Sequence, residues 1–169
     1  SGGVDSYRNL AGKNVFAEIA GQQGGTGEKK WMIRGGHRLW IAPEHKKKTC
    51  ELDNVPVKIE EIKGGVRAIQ PPGPLMRVGK TMEITLSSGE NEAVIRHILI
   101  NEGSSPVRLS VWALSVMSAG GKAIIPLPKK ISHTERLLNN QEWSIWGYTD
   151  FGDPRWTLGS RYILFRQDP

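Results

Sequence analysis

Cysteine is almost missing from this chain: Cys50 stands alone among 169 residues. One thiol excludes an internal disulfide and a cysteine-based zinc site within one copy. Long apolar runs are missing too, and none approaches the roughly 20 residues of a membrane-spanning helix. No membrane partner is expected. The opening "SGGVDSYRN" has neither a basic nor an apolar stretch, so no signal peptide is visible. A processed chain would have lost one, and the compartment stays open. Phosphate loops, dinucleotide fingerprints, the G-x-S-x-G elbow and H-E-x-x-H are all absent, and no cofactor is expected. Charge of one sign is not lacking, since the net charge is +6, which raises the question of nucleic acid. The basic residues are scattered, however. Their one tight cluster, Lys46-Lys47-Lys48, reads as a solvated loop, so no nucleic-acid partner is expected.

What is present is strand. In "KTMEITL", Met82, Ile84 and Leu86 alternate with Thr81, Glu83 and Thr85, the period of two of a half-buried strand. "SSGEN" (87–91) turns the chain, a second strand follows over 92–100, and "NEGSSP" (101–106) turns it again. Residues 107–117 form a third strand whose apolar residues fall on both parities, which predicts a central strand covered on both faces. Three such strands joined by short turns predict an antiparallel meander. Shorter strands are expected at 15–19, 57–61, 66–70, 123–125, 142–145 and 162–165. Gly 20 and Pro 10 supply the turns between them. Only 132–138 has room for a helical turn or two, while 21–30 and 70–74 read as loops. There is no internal repeat, and a length of 169 residues suits one all-β domain over 1–169.

Aromatic residues are few, but half of them are tryptophan: Trp31, Trp40, Trp112, Trp143, Trp146 and Trp156. An indole buries a large area while often keeping one edge polar, and its face makes a platform for the C–H side of a sugar ring. Trp31 and Trp40 flank the Arg34–His37–Arg38 cluster in the densest polar stretch, "IRGGHRLWIAPEH" (33–45). Arg34 and Arg38 offer rigid donor forks, and His37 and His45 donate or accept near neutral pH. Glu44 can accept from a hydroxyl or orient an arginine, and so can Asp150, which lies near Arg155 in "YTDFGDPRW". Together these are the parts of a polyol or carboxylate cleft. Each also has a plain structural reading, as an ion-pair arginine or a hydrogen-bonded structural histidine. His97 shares the parity of Ile95 and Leu99, which favours the structural reading, and His133 reads as exposed. The spacing of His37 and His45 is not specific for a metal, and none is expected.

"RGGHRLWIAPE" (34–44), "INEGSSPVRLSVWALSVMSAGGKAIIPLP" (100–128) and "YTDFGDPRWTLGSRYILFRQDP" (148–169) resemble an uncharacterised bacterial family placed with the galactose mutarotase-like, aldose-epimerase-like proteins, and "GKNVFAE" (12–18) fits the segment before the first motif. The resemblance runs over nearly the whole chain. It implies an antiparallel β-supersandwich whose concave face binds a saccharide, and a single galactose mutarotase-like domain over 1–169. Arg34 matches an arginine that lines the sugar cleft in hexose-phosphate epimerase-like members. Trp112 stands where true mutarotases carry the histidine that protonates the ring oxygen, and an indole N–H is no general acid at neutral pH. The segment that carries the mutarotase glutamate is expected beyond Pro169, and family members have further strands before Gly12. An incomplete supersandwich with open edges is therefore expected.

The leading expectation is a carbohydrate-binding protein with saccharide as ligand, held by Arg34, His37, Arg38, Trp40, Trp112, Asp150 and Arg155. One rival is an active aldose 1-epimerase or other sugar isomerase, with His37 or His97 working beside Glu44 or Asp150. The other is a non-enzymatic module that forms homo-oligomers through its sheet edges.

Overall fold

The computed structural model describes residues 3, 4, 6–8, 12–22, 25–89 and 91–167. Gln23, Gly24 and Glu90, from the loop and turn read above, lie outside the described residues, as do Asp168 and Pro169. Nine strands and no helix are found among the described residues, and every strand pairing is antiparallel. Among the described residues no helix is long and apolar enough to cross a membrane. The chain divides into two compact units, Ser1–Ser118 and Ala119–Pro169.

The first unit holds two sheets. Strand β1 (Gly36–Ala42) pairs with β6 (Ser110–Val116), setting His37 opposite Ser115 and Trp40 opposite Trp112. Strands β2 (Lys58–Ile62), β3 (Gly65–Gln70), β4 (Val78–Leu86) and β5 (Ala93–Asn101) form the other sheet in chain order. The buried apolar side chains are Leu39 and Ile41 of β1 and Val78 and Met82 of β4. Burial of each is worth about 1.5–3 kcal/mol. Alternation puts His37 on the Leu39 and Ile41 face of β1, and Lys80 on the Val78 and Met82 face of β4. His97 sits opposite Met82. Polar groups are thus interleaved with the core itself.

Of the expected three-strand meander β4 and β5 pair, but β6 pairs with β1 instead of β5, and the meander that forms runs from β2 to β5. The turn after β5 redirects the chain. Asn101 accepts from the Gly103 amide and donates to the Ser105 carbonyl, and Pro106 has no N–H to continue a ladder. Strand β6 begins only at Ser110, and it is not covered on both faces. Trp112, Leu114 and Val116 are half-buried, whereas Val111, Ala113 and Ser115 are exposed. Apolarity at both parities therefore gave too central a place to this strand. The strand expected at 15–19 is a run of isolated bridges, with Phe16 opposite Met117 and Glu18 opposite Gly35.

In the second unit β7 (Lys122–Pro126), β9 (Tyr162–Arg166) and β8 (Trp156–Leu158) form a sheet with β9 central, and Ile163 of β9 is buried. Residues 127–155 run without strand between β7 and β8. The expected strand at 142–145 is part of this loop. Gln141 to Tyr148 are exposed, so its apolar residues have no sheet face to bury against. The Ser132 carbonyl accepts from the Glu135 and Arg136 amides, making the single helical turn that the sequence left room for.

Candidate functional site

The stretch around Gly35-Gly36 is a packed entry into β1. Arg34, Gly35 and Gly36 all take positive φ, at 57°, 90° and 67°, a conformation that glycine adopts freely and arginine does not. A Cβ on Gly35 would collide with the Ala17 carbonyl. Arg34 is 2% exposed. Its guanidinium donates to the Gln22 carbonyl at 2.8 Å and to Glu28 Oε1 at 2.7 Å, and its amide donates to Gln22 Oε1 at 3.0 Å. These bonds fasten the loop before β1, and the Glu28 carboxyl lies below its ordinary pKa because of a backbone hydrogen bond at Glu28 first, then the bonds from Arg34 and Asn54. Arg34, expected to face a ligand cleft, is thus placed in a buried turn and bonded to Gln22 and Glu28.

Arg38 is also buried, on the opposite face of β1 from His37. Its Nε lies 3.1 Å from Asp53 Oδ2, its Nη2 donates to the Met32 carbonyl, and its guanidinium stands 5.2 Å over the Trp31 ring. Trp31, Trp40 and Trp112 form a contiguous cluster, with ring centroids 5.7 Å and 5.5 Å apart. Trp40 points away from His37, since strand residues three apart face opposite sides, so it does not support that histidine from beneath. The Trp31 Nε1 proton is buried without a hydrogen-bond partner.

His37 and His97 meet between the two sheets of this unit. Their Nε2 atoms are 2.8 Å apart, and His37 Nδ1 is 2.8 Å from Ser115 Oγ. A single proton sits between the two Nε2 atoms, so one ring donates and the other accepts. His37 is 8% exposed. Burial lowers both histidine pKa values, and the neighbouring His97 adds to the effect on His37. Lys80 is lowered by burial against the pull of Asp53 and Glu51. It borders a cavity of about 10 Å³, large enough for one water. Glu44 is exposed beyond the end of β1. No cluster of three or more metal-ligating side chains occurs among the described residues.

A cavity of ligand size lies in the second unit. It measures about 610 Å³ and is walled by β7, β9, Trp156 at the start of β8, and the long loop between β7 and β8. Trp143, Trp146, Phe151 and Trp156 line it. Trp143 and Trp146 are 49% and 53% exposed, so indole faces are open to solvent. Beneath them a ladder of rings runs inward: Trp143 to Phe151 at 6.1 Å, Phe151 to Trp156 at 5.5 Å, and Trp156 to Phe165 at 4.5 Å. Arg155 caps its inner end, with its guanidinium 5.1 Å from the Phe165 centroid. Asp153 holds Arg155 there through bonds of 2.6 to 3.1 Å, which bring the Asp153 pKa down to about 2.

The loop is pinned as well as aromatic. Asn140 donates to the Lys129 carbonyl, the Thr149 amide to the Trp146 carbonyl, and the Gly152 amide to Asp150 Oδ1. Asp150 and Arg155 are not among the residues that line the groove. Among the described residues, the Ser144 and Thr149 hydroxyls and the Trp146 indole N–H have no side-chain partner, and all three residues line the cavity. Sequence reasoning passed over this wall because 142–145 read as a strand. The available signal was three of the six tryptophans within the short span from Trp143 to Trp156.

Compared with known proteins, the chain matches no family description, no curated protein and no solved structure.

Proposed function

We propose that this chain is a carbohydrate-binding protein of the galactose mutarotase-like supersandwich type, and that it holds its saccharide in the groove lined by Trp143, Trp146, Phe151 and Trp156. One observation carries the reading. Open indole faces share a 610 Å³ groove with hydroxyl and N–H groups that have no side-chain partner. A purely apolar ligand would leave those groups without partners, at a cost of about 1–3 kcal/mol each once desolvated. A sugar presents a C–H face to the rings and hydroxyls to the rim, so it meets both demands. The supersandwich type rests on the three sequence motifs and agrees with the all-antiparallel strands.

Binding without mutarotation is the form of the activity. Mutarotation needs one group to take the anomeric proton and another to protonate the ring oxygen. Each such group is worth about 10²–10⁴-fold. Trp112, at the aligned histidine position, packs edge-on against Trp40, and the Nε2 atoms of His37 and His97 are engaged with each other. Calorimetric titration against a panel of mono- and oligosaccharides tests binding, and Trp143→Ala should weaken it at least tenfold without lowering the melting temperature. Polarimetry on fresh glucose and galactose should show equilibration at the buffer rate. A faster rate that His97→Ala abolishes would install the enzyme reading in its place.

A further inference from the structure

The size and charge of the groove narrow the ligand class. A hexose has twelve non-hydrogen atoms, and if each takes no more than a water's share of roughly 30 Å³, one ring fills at most about 360 Å³. The cavity is about 610 Å³. The two exposed indoles also belong to separate ring groups. Trp143 heads the ladder through Phe151, while Trp146 stacks with Tyr148 at 6.5 Å and 27°. No ring contact joins Trp143 to Trp146 among the described residues. They are three residues apart in a segment without helix or strand, so their backbones can stand as much as about 10 Å apart. The groove is lined by indoles of two separate ring groups. Among its lining residues only Glu142 is ionisable, and its charge is negative.

We infer that the groove takes a segment of a neutral oligosaccharide, with one sugar residue on Trp143 and another on Trp146, and that Glu142 turns away acidic chains. This rests on the carbohydrate-binding reading above. Two covalently linked rings engage the second platform intramolecularly, so affinity rises with chain length without any new kind of contact. Like charges across a partly desolvated wall oppose a uronate at the same place.

The experiment is calorimetric titration of the whole chain with neutral hexoses, each as monomer through tetramer, beside oligomers of the matching uronic acids. Affinity is expected to rise about tenfold or more from monomer to trimer, the step of a single further stacking contact. Trp146→Ala should abolish that rise from monomer to trimer, whereas Trp143→Ala should weaken every sugar, the monomer included. Uronate oligomers should bind at least tenfold more weakly than neutral ones, and Glu142→Gln should narrow that gap. The melting temperature of Trp146→Ala checks that the loop is kept. Monomers that bind as tightly as tetramers would overturn the inference and leave carbohydrate binding standing. Uronate chains that bind as well as neutral ones would overturn the role of Glu142. Failure of every sugar to bind would overturn both this inference and the reading beneath it.

Discussion

His37 and His97 share one hydrogen bond and hold it only while at least one of them is neutral. Burial lowers both pKa values in the folded state, so the unfolded chain binds these protons more tightly. Stability from the pair is then fully present above the unfolded value of about 6.5. It is lost as pH falls from there through the lowered folded values. The facing groups are few: Ser115 from β6, Met82 opposite His97 on β4, and Lys80 one step along the same face of β4. Among these described neighbours no carboxylate compensates the second proton. Melting temperature should fall between pH 7 and pH 5 in the natural chain, and His97→Gln should flatten that fall. A parallel loss in both proteins would assign it to other groups. At Arg38, Asp53→Ala should cost about 3–5 kcal/mol, because it leaves a buried guanidinium without its carboxylate. Urea unfolding reads this directly.

At the scale of elements, β3 and β4 approach so closely that a Cβ on Gly65 would collide with the Ile84 carbonyl, whereas Gly64 in the same turn has open space. Gly65→Ala should therefore shift the urea midpoint much further than Gly64→Ala, although Gly64 has φ of 76° and pays a backbone penalty of its own. An equal shift in both would show that the turn conformation, not the strand approach, is the constraint. The apolar pattern located β4 by its period of two, and β2, β3, β5, β7 and β9 as runs between turns. It misread β6, where large residues at both parities reflect a tryptophan cluster on one side and plain exposure on the other. It also missed that "GHRLWIA" is a strand, since His37 and Arg38 are polar side chains buried by partners that sequence cannot display. The same cause hid the burial of the two arginines. Arg34 and Arg38 looked like ligand forks because Glu28, Gln22 and Asp53 lie far enough away in sequence to hide the pairing. The composition of the groove in the second unit was visible in its tryptophans, but its concavity was not.

For the whole molecule, the sheet of β2 to β5 ends in two different edges. The β2 edge carries Lys58, Glu60 and Glu61, charges that discourage strand addition. The β5 edge runs nine residues, and its outer side shows Val94 and Ile100, each 51% exposed, around a single Arg96. Association of two copies is therefore expected along β5, where a two-fold axis would pair it with itself. Sedimentation velocity should show mass rising with concentration, and Ile100→Lys should suppress the rise. A strict monomer at high concentration would remove the interaction-module reading.

The tryptophans also divide the chain optically. Trp31, Trp40 and Trp112 are half-buried in mutual contact in the first unit, and Trp143, Trp146 and Trp156 belong to the second, two of them open to water. Excited alone, the first set should emit toward the blue with coupled near-ultraviolet dichroism, and the second toward the red. Acrylamide should quench only the red component strongly. Each half of the chain thus carries its own built-in dye, and a denaturation curve followed at both ends of the emission band resolves whether the halves melt together or one after the other.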